Sequence, residues 1–439
     1  MTPRRTSAFV LTFFFVLPLA AALRAQTTPA PHPDGETLRY VVYLSRHGVR
    51  SPTGKAAQYN TYSTAPWPAW SVPPGNLTAH GFRLMQIFGA WDRTQLAEEG
   101  LLHAAGCADA PLVTIYADSD QRTRETGRAL AMGLFPECSP PVHALPEGTP
   151  DQLFHPLESG AFTVDSAAVV AAISGRIGGD PNNLTAAYHT PLEEFDSLLA
   201  KCGCADSAAH KRSSILDIPA RLTEGNREHP AELRGPLATA STLTENLLLE
   251  YTENMPAANV GWGCVDGRNL RSLIDLHTEA VDFAQRTPAI ARMQASNLLD
   301  HILQSIEQAS AEKPVKGALG KPADRLLMLI GHDTNISNVA GLLRLTWIAD
   351  GRRDDTPPGD ALVFELWHSS ATNDDSVRIY YTTQTLEQMR GETPLSAENP
   401  PVRVPVFLPS CSRSDFSCSL SDFKRDLTQA IDPNFVILQ

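Results

Sequence analysis

Beyond residue 22 the sequence has no apolar run long enough to cross a bilayer, so no integral membrane protein is expected. It has no internal repeat and no low-complexity tract apart from a Pro- and Thr-rich stretch at 27–34. Basic residues are in deficit, 36 Lys and Arg against 49 Asp and Glu, for a formal charge of −13. An acidic exterior argues against nucleic acid as a partner and makes any local cluster of cations purposeful. Paired Cys/His spacing is also missing. Cys202-Gly203-Cys204 has no matching pair elsewhere, so a zinc site there is not expected.

What is present begins with a secretion pattern. Arg4 and Arg5 precede an apolar run from Ala8 to Ala22, and Ala25 offers a small residue before a cut. The residues around the arginine pair favour general secretion over twin-arginine export. Cleavage would remove three arginines and no acid, leaving the mature chain more acidic still. Seven cysteines in an exported chain suggest disulfides with one thiol left over. Cys107 and Cys138 bracket one strand–helix unit, and Cys411 and Cys418 close a short loop. The pairing of Cys202, Cys204 and Cys264 is open.

At 439 residues, 42% of them hydrophobic, the chain is long enough for one large or two medium domains. A Val- and Tyr-rich run from Leu38 reads as a buried strand that stops on Arg46-His47-Gly48-Val49-Arg50-Ser51-Pro52. Tyr59 to Pro74, dense in Pro, Trp and Tyr, is expected as an ordered loop. Helical periodicity runs from Thr78 to Leu102. Pro111 to Ala117 predicts a second strand, followed by helix caps at Asp118 to Asp120 and a helix from Gln121 to Leu134. Between Phe162 and Arg286 strand-like runs disappear and amphipathic helices dominate, such as Ser241 to Met255. Another helix is expected from Pro288 to about Gln308. Sheet character returns at Arg325 to Ile330, which ends in Gly331-His332-Asp333, with a helix from about Asn335. Leu362–Trp367 and Val377–Thr383 predict a late strand pair. The expected organisation is therefore a signal peptide at 1–25 and a lead-in at 26–37. An α/β domain in two parts, 38–161 and 288–439, then encloses a helical cap at 162–287. The fold class is α/β, a central, mainly parallel sheet flanked by helices with a smaller helical cap.

Three strands thus end in polar, mostly basic residues: Arg46, His47 and Arg50; Arg122; and His332 with Asp333. If they are neighbours in one parallel sheet, their carboxyl ends converge on one crevice. Arginines match phosphate oxygens with paired N–H donors, and helix N-termini add positive dipole ends. A histidine among them can attack phosphorus, and a nearby carboxylic acid can protonate the leaving alcohol. Arg122 carries positive charge at a helix N-terminus, which calls for an anion. Arg124 faces elsewhere, and His80, His103, His143 and His155 are read as structural or exposed.

The seven-residue Arg46-to-Pro52 motif with a distant His332-Asp333 resembles the histidine acid phosphatase family, and the likeness covers nearly the whole mature chain. Ala117 to Arg124, Gly261-Trp262-Gly263, Gln285 to Pro288 and Thr356 to Gly359 resemble its phytases and glucose-1-phosphatases. The resemblance implies His47 as nucleophile, Arg46, Arg50, Arg122 and His332 as phosphate clamp, Asp333 as proton donor and Thr53 as a substrate contact. No cofactor and no metal are expected, with a small organophosphate as partner; the chain is expected as a monomer, and the secretion pattern predicts a periplasmic or secreted location with no membrane attachment after signal cleavage. The reading that follows is an acid phosphatase acting on phytate. A glucose-1-phosphatase or broad-specificity phosphatase is the alternative, ahead of a non-catalytic phospho-ligand binder and a cytosolic mutase. Three departures are notable. Gly54 stands where such phytases carry a basic residue, with Lys55 next. Phe162 and Phe435 occupy places where those relatives join two cysteines. Gly48 and Thr334 differ from the Asn and Ser usual in glucose-1-phosphatases.

Overall fold

The computed structural model describes residues 35–203 and 212–437, which belong to one compact unit beginning at Gly35. The signal peptide, most of the lead-in and Cys204 lie outside the described residues. Strand β1 spans Glu36–Arg46, so the chain is already in the sheet before Leu38. Helix α1 follows at Ala79–Glu98, capped by the Thr78 hydroxyl accepting from the Gly81 amide at 2.9 Å. Then come β2 (Val113–Ala117), α2 (Gln121–Leu134) and β3 (Val142–His143).

A stretch of helices interrupts the sheet, including Ser166–Arg176 and His189–Lys201. Contrary to expectation, this stretch also contains an antiparallel hairpin, β4 (Arg221–Glu224) with β5 (Ala231–Arg234). Its strands are short and rich in charge, without the apolar alternation that would have marked them. Helix α3 (Pro236–Thr252) starts earlier than its apolar stripe suggested, because Pro236 occupies its first turn. Helices α4 (Asp275–Gln285) and α5 (Pro288–Ala311) lead back to the sheet through β6 (Leu326–Gly331) and α6 (Asp333–Leu343). The antiparallel strands β7 (Ala361–Ser369), β8 (Asp374–Thr383) and β9 (Val402–Val406) complete the order β9-β8-β7-β1-β6-β2-β3, and the short Cys418–Ser419 segment pairs with β8.

β1 is central and covered on both faces, which is why it reads as a continuous apolar run. Tyr40, Val42 and Leu44 pack toward α5 and α6 with Leu299 and Ile336, while Val41 and Tyr43 pack on the other face with Phe88 and Leu130. In the helical stretch Phe195, Leu199, Leu243, Leu247 and Ile274 are buried together, in a cluster that also takes in Val49, Leu84 and Leu386. A short helical turn (Ala56–Tyr59) leads into the Tyr59-to-Pro74 loop, which itself begins with a tighter turn (Asn60–Tyr62). Disulfides join Cys107 to Cys138 and Cys411 to Cys418, and a third joins Cys202 to Cys264. The Phe162 and Phe435 rings meet edge to face at 5.4 Å.

Candidate active site

The sheet register does what the convergence argument required. β6 runs parallel to both β1 and β2, with Arg46 opposite Gly331 and Ala117 opposite Ile330. The three strands therefore end at one level. Gly331 is needed there because a Cβ would stand 2.5 Å from Asn335 Oδ1 and 2.8 Å from the Phe154 ring. That close approach lets Asn335 accept from the His332 amide at 2.9 Å and fixes the turn into α6.

His47 is fully enclosed. Its Nδ1 sits 2.9 Å from the Gly48 carbonyl, which accepts only, so Nδ1 carries the proton and Nε2 keeps a lone pair. The His47 amide donates to Gly331 O at 3.0 Å, and Gly359 donates to His47 O at 2.9 Å. Burial, then Arg122, Arg46 and Arg50, hold the imidazole well below its ordinary titration range. It is neutral in mild acid.

Arg46 is buried; it donates to the Thr356 carbonyl and to Glu245 and lies 3.0 Å from Asp333 Oδ2. Arg50 reaches the same Glu245 oxygen at 3.1 Å. Arg122 pairs with Asp120 at 2.6 Å and donates to His332 Nδ1 at 3.4 Å. Each of the three guanidiniums leaves a buried Nε–H without a partner. Unused buried donors beside a neutral histidine are a receptor for an anion.

His332 donates from Nε2 to Asp118 Oδ2 at 2.8 Å, and its ring lies 5.5 Å from that of His47, edge on. Burial outweighs Asp118 and lowers its basicity. Burial opposes ionisation of Asp118 too, but hydrogen bonds from His155 and His332 hold it well below the usual carboxylate range. Asp333 is ionised as well: burial is overcome by Arg46 and His277. Thr53 stands at the exposed rim on the Arg122 side, where its methyl and Arg122 Nη1 both lie 3.6 Å from where a Cβ on Gly75 would be. Gly54 donates to the Tyr59 hydroxyl at 2.8 Å, and Lys55 points into solvent.

The family model of the histidine phosphatase superfamily (branch 2) matches residues 37–382. The chain belongs to that superfamily. Phytase AppA of Escherichia coli is 35% identical over 426 residues, covering 95% of this chain and 97% of the relative. The glucose-1-phosphatase of Salmonella typhimurium is 29% identical over 400 residues, 90% of this chain and 91% of the relative. The solved Hafnia alvei phytase in complex with tartrate superposes with a TM-score of 0.84 at 33% identity, over 92% of this chain and 100% of that one. As a member of this superfamily the protein is a phosphoric monoester hydrolase of the histidine acid phosphatase type.

For this phosphatase, the structure brings Arg46, His47, Arg50, Arg122, His332 and Asp333 together and leaves Thr53 at the edge. It also adds residues. His155, expected to be structural or exposed, lies 3.3 Å from Asp118 and its ring lies 5.0 Å from that of His332. Asp118, expected to cap α2, serves the histidines instead; the strand-end rule that singled out its neighbours applied equally to it. Glu245 on α3 and His277 on α4 come from the helical stretch, where no local motif marks them. Arg124 is on the surface, 3.3 Å from Glu147, and His103 and His143 are exposed, as expected. Of three groups among the described residues with spacing compatible with a metal ion, two, Asp118–His155–His332 and Glu245–His277–Asp333, contain the strand-end residues. In both, a carboxylate already accepts from histidine or arginine.

Proposed function

We propose that the chain is a secreted or periplasmic acid phosphatase that works through a phosphohistidine on His47. The observation that carries this is the free, neutral Nε2 of His47, fixed by the Gly48 carbonyl and ringed by arginines with unused donors. Arg46, Arg50, Arg122 and His332 grip the phosphate, and Thr53 contacts substrate at the rim. His47 Nε2 attacks phosphorus, the ester P–O bond breaks, and Asp333 gives its proton to the departing alkoxide. Water then attacks the phosphohistidine, yielding its proton to Asp333, and the N–P bond breaks to release phosphate. Because the empty clamp keeps Asp333 ionised, the donor form belongs to the loaded site. The phosphate's negative charge offsets the arginines, and an acidic medium supplies the proton. An acidic optimum follows, with His47 still neutral there.

The domain organisation is proposed as expected from the sequence, with 162–287 as the cap over the site and no cofactor required. No helix among the described residues is long and apolar enough to cross a membrane. Similarity to phytases supports phytate as substrate. A second reading, a small polyol monophosphate, is favoured by the cavity beside Asp333, whose lining includes no Lys or Arg among the described residues. Rapid acid quenching with ³²P-labelled monoester should trap acid-labile, alkali-stable label on wild type and none on His47→Ala. Absence of label on a turning-over wild type would overturn the phosphohistidine route.

A further inference from the structure

A cavity of about 340 Å³ opens next to the catalytic carboxylate, between α3, α4 and the β4–β5 hairpin. It is lined by Asp333, His277, Ser241, Gln294, Glu228 and Glu232, among others. Asp333 and Thr334 form its boundary with the strand-end site, so a leaving group protonated by Asp333 can extend into it. Two observations describe what it would meet there. His277 is over nine-tenths buried, its Nδ1 is 3.0 Å from the Ser241 hydroxyl, and its Nε2 has no partner. A ring nitrogen of His277 lies within 4.8 Å of carboxylate oxygens of both Asp333 and Glu245. The lining also brings acids, with no Lys or Arg among the described residues. Glu228 and Glu232 come from the hairpin, Glu232 paired with Arg234 at 2.7 Å and Glu228 3.5 Å from His229.

We propose that His277 reads a hydroxyl on the carbon next to the scissile ester, so that the leaving group selected is a polyol with a free neighbouring hydroxyl rather than a neighbouring phosphate. This rests on the phosphohistidine reading above and adds the chemistry of the leaving group to it. Oxygens on adjacent carbons stand about 3 Å apart, and hydrogen bonds to Asp333 and His277 span about 2.8 Å each. A pair of such oxygens fits between the two side chains, whose nearest ligand atoms lie within 4.8 Å of each other. The hydroxyl satisfies a buried nitrogen that otherwise has nothing to bond. A phosphate in its place would bring negative charge beside Asp333, Glu245 and the hairpin acids, with no Lys or Arg among the described lining residues to receive it.

Glycerol 1-phosphate and propyl phosphate differ only by hydroxyl groups and share the scissile phosphate. Wild type should prefer the glycerol ester by roughly tenfold in kcat/KM, the worth of satisfying one buried polar group. His277→Ala should reduce that preference to about twofold, while His277→Asn, which keeps a donor and an acceptor, should hold part of it. Both esters are measured on one preparation, so a loss of folded protein cancels from the ratio. An equal preference in wild type and His277→Ala, or none in wild type, would overturn the assignment. Wild type should also favour inositol monophosphate over inositol hexakisphosphate per ester group, and the reverse order would overturn the choice of hydroxyl over phosphate. Acid-quench labelling of wild type with nitrophenyl phosphate tests the underlying phosphohistidine separately. Label with no hydroxyl preference defeats this inference alone, and turnover without label defeats the mechanism.

Discussion

The strand ends and the interior of the helical stretch treat a buried carboxylate in opposite ways. Glu245 and Glu250 share helix α3. Glu245 faces Arg46 and Arg50, which overcome burial and keep it ionised. Glu250 faces the apolar core, where burial pushes it up to about 8 despite the Gly261 amide donating to it at 3.0 Å. One helix thus presents a charge to the clamp and a proton-bound acid to the core. The difference lies in the partners and not in the residue. At the strand ends, Asp118, Asp333 and Glu245 are held ionised by the histidines and arginines beside them, and that standing charge is the working state of the site.

The comparison would be broken most completely by removing the group the charges serve. His47→Ala should lower kcat on any monoester by at least about 10⁴-fold, as loss of a nucleophile does. A residual rate near wild type would mean that the charged cluster binds but does not carry the chemistry. Asp333→Asn is the next largest. It keeps the shape and removes the transferable proton, so alkyl phosphates should slow by roughly 10²- to 10³-fold. Nitrophenyl phosphate, whose leaving group needs little protonation, should slow by about tenfold or less. Equal losses on both would place Asp333 in binding alone.

How far the sequence foretold this follows the same division. Arg46, His47, Arg50, His332 and Asp333 were legible because each follows a strand whose apolar run is plain, and a parallel register carries strand ends to one place. Arg122 was legible as a cation at a helix start. Glu245 and His277 were not, because helices from a distant part of the chain bring them in and their only local signal is an amphipathic stripe. Ser241 and Glu245 lie one turn apart on α3, but that spacing gains meaning only once α4 places His277 against them. The β4–β5 hairpin escaped for a different reason: its residues are too polar and too exposed for alternation to show.

Glu245→Gln would sharpen the contrast within α3. It removes the carboxylate that balances Arg46 and Arg50 in the empty site, and leaves an amide that can still accept from one of them. The clamp becomes more cationic, so inorganic phosphate should inhibit more tightly, by about fivefold, equivalent to ~1 kcal/mol for a partly exposed ion pair. The change should shrink as ionic strength rises. Weaker inhibition would show that Glu245 shapes the arginines more than it competes with the anion.

Glu250→Gln is the smallest effect and concerns stability alone. Glu250 in the folded protein titrates at about 8, against an ordinary 4.5. Below 4.5 the carboxyl is protonated both folded and unfolded, and its contribution is fully present. Between the two values only the unfolded chain releases the proton, so stability drains away as pH rises through that window. Glutamine has no proton to lose, and its carbonyl can still accept from Gly261. The Tm of the variant relative to wild type should therefore climb by about 5 °C between pH 4.5 and 7.5. Asp92, likewise buried and pushed up to about 8, is present in both proteins and cancels from the difference. A difference that stays flat with pH would show that Glu250 is ionised after all, and that the two faces of α3 handle charge alike.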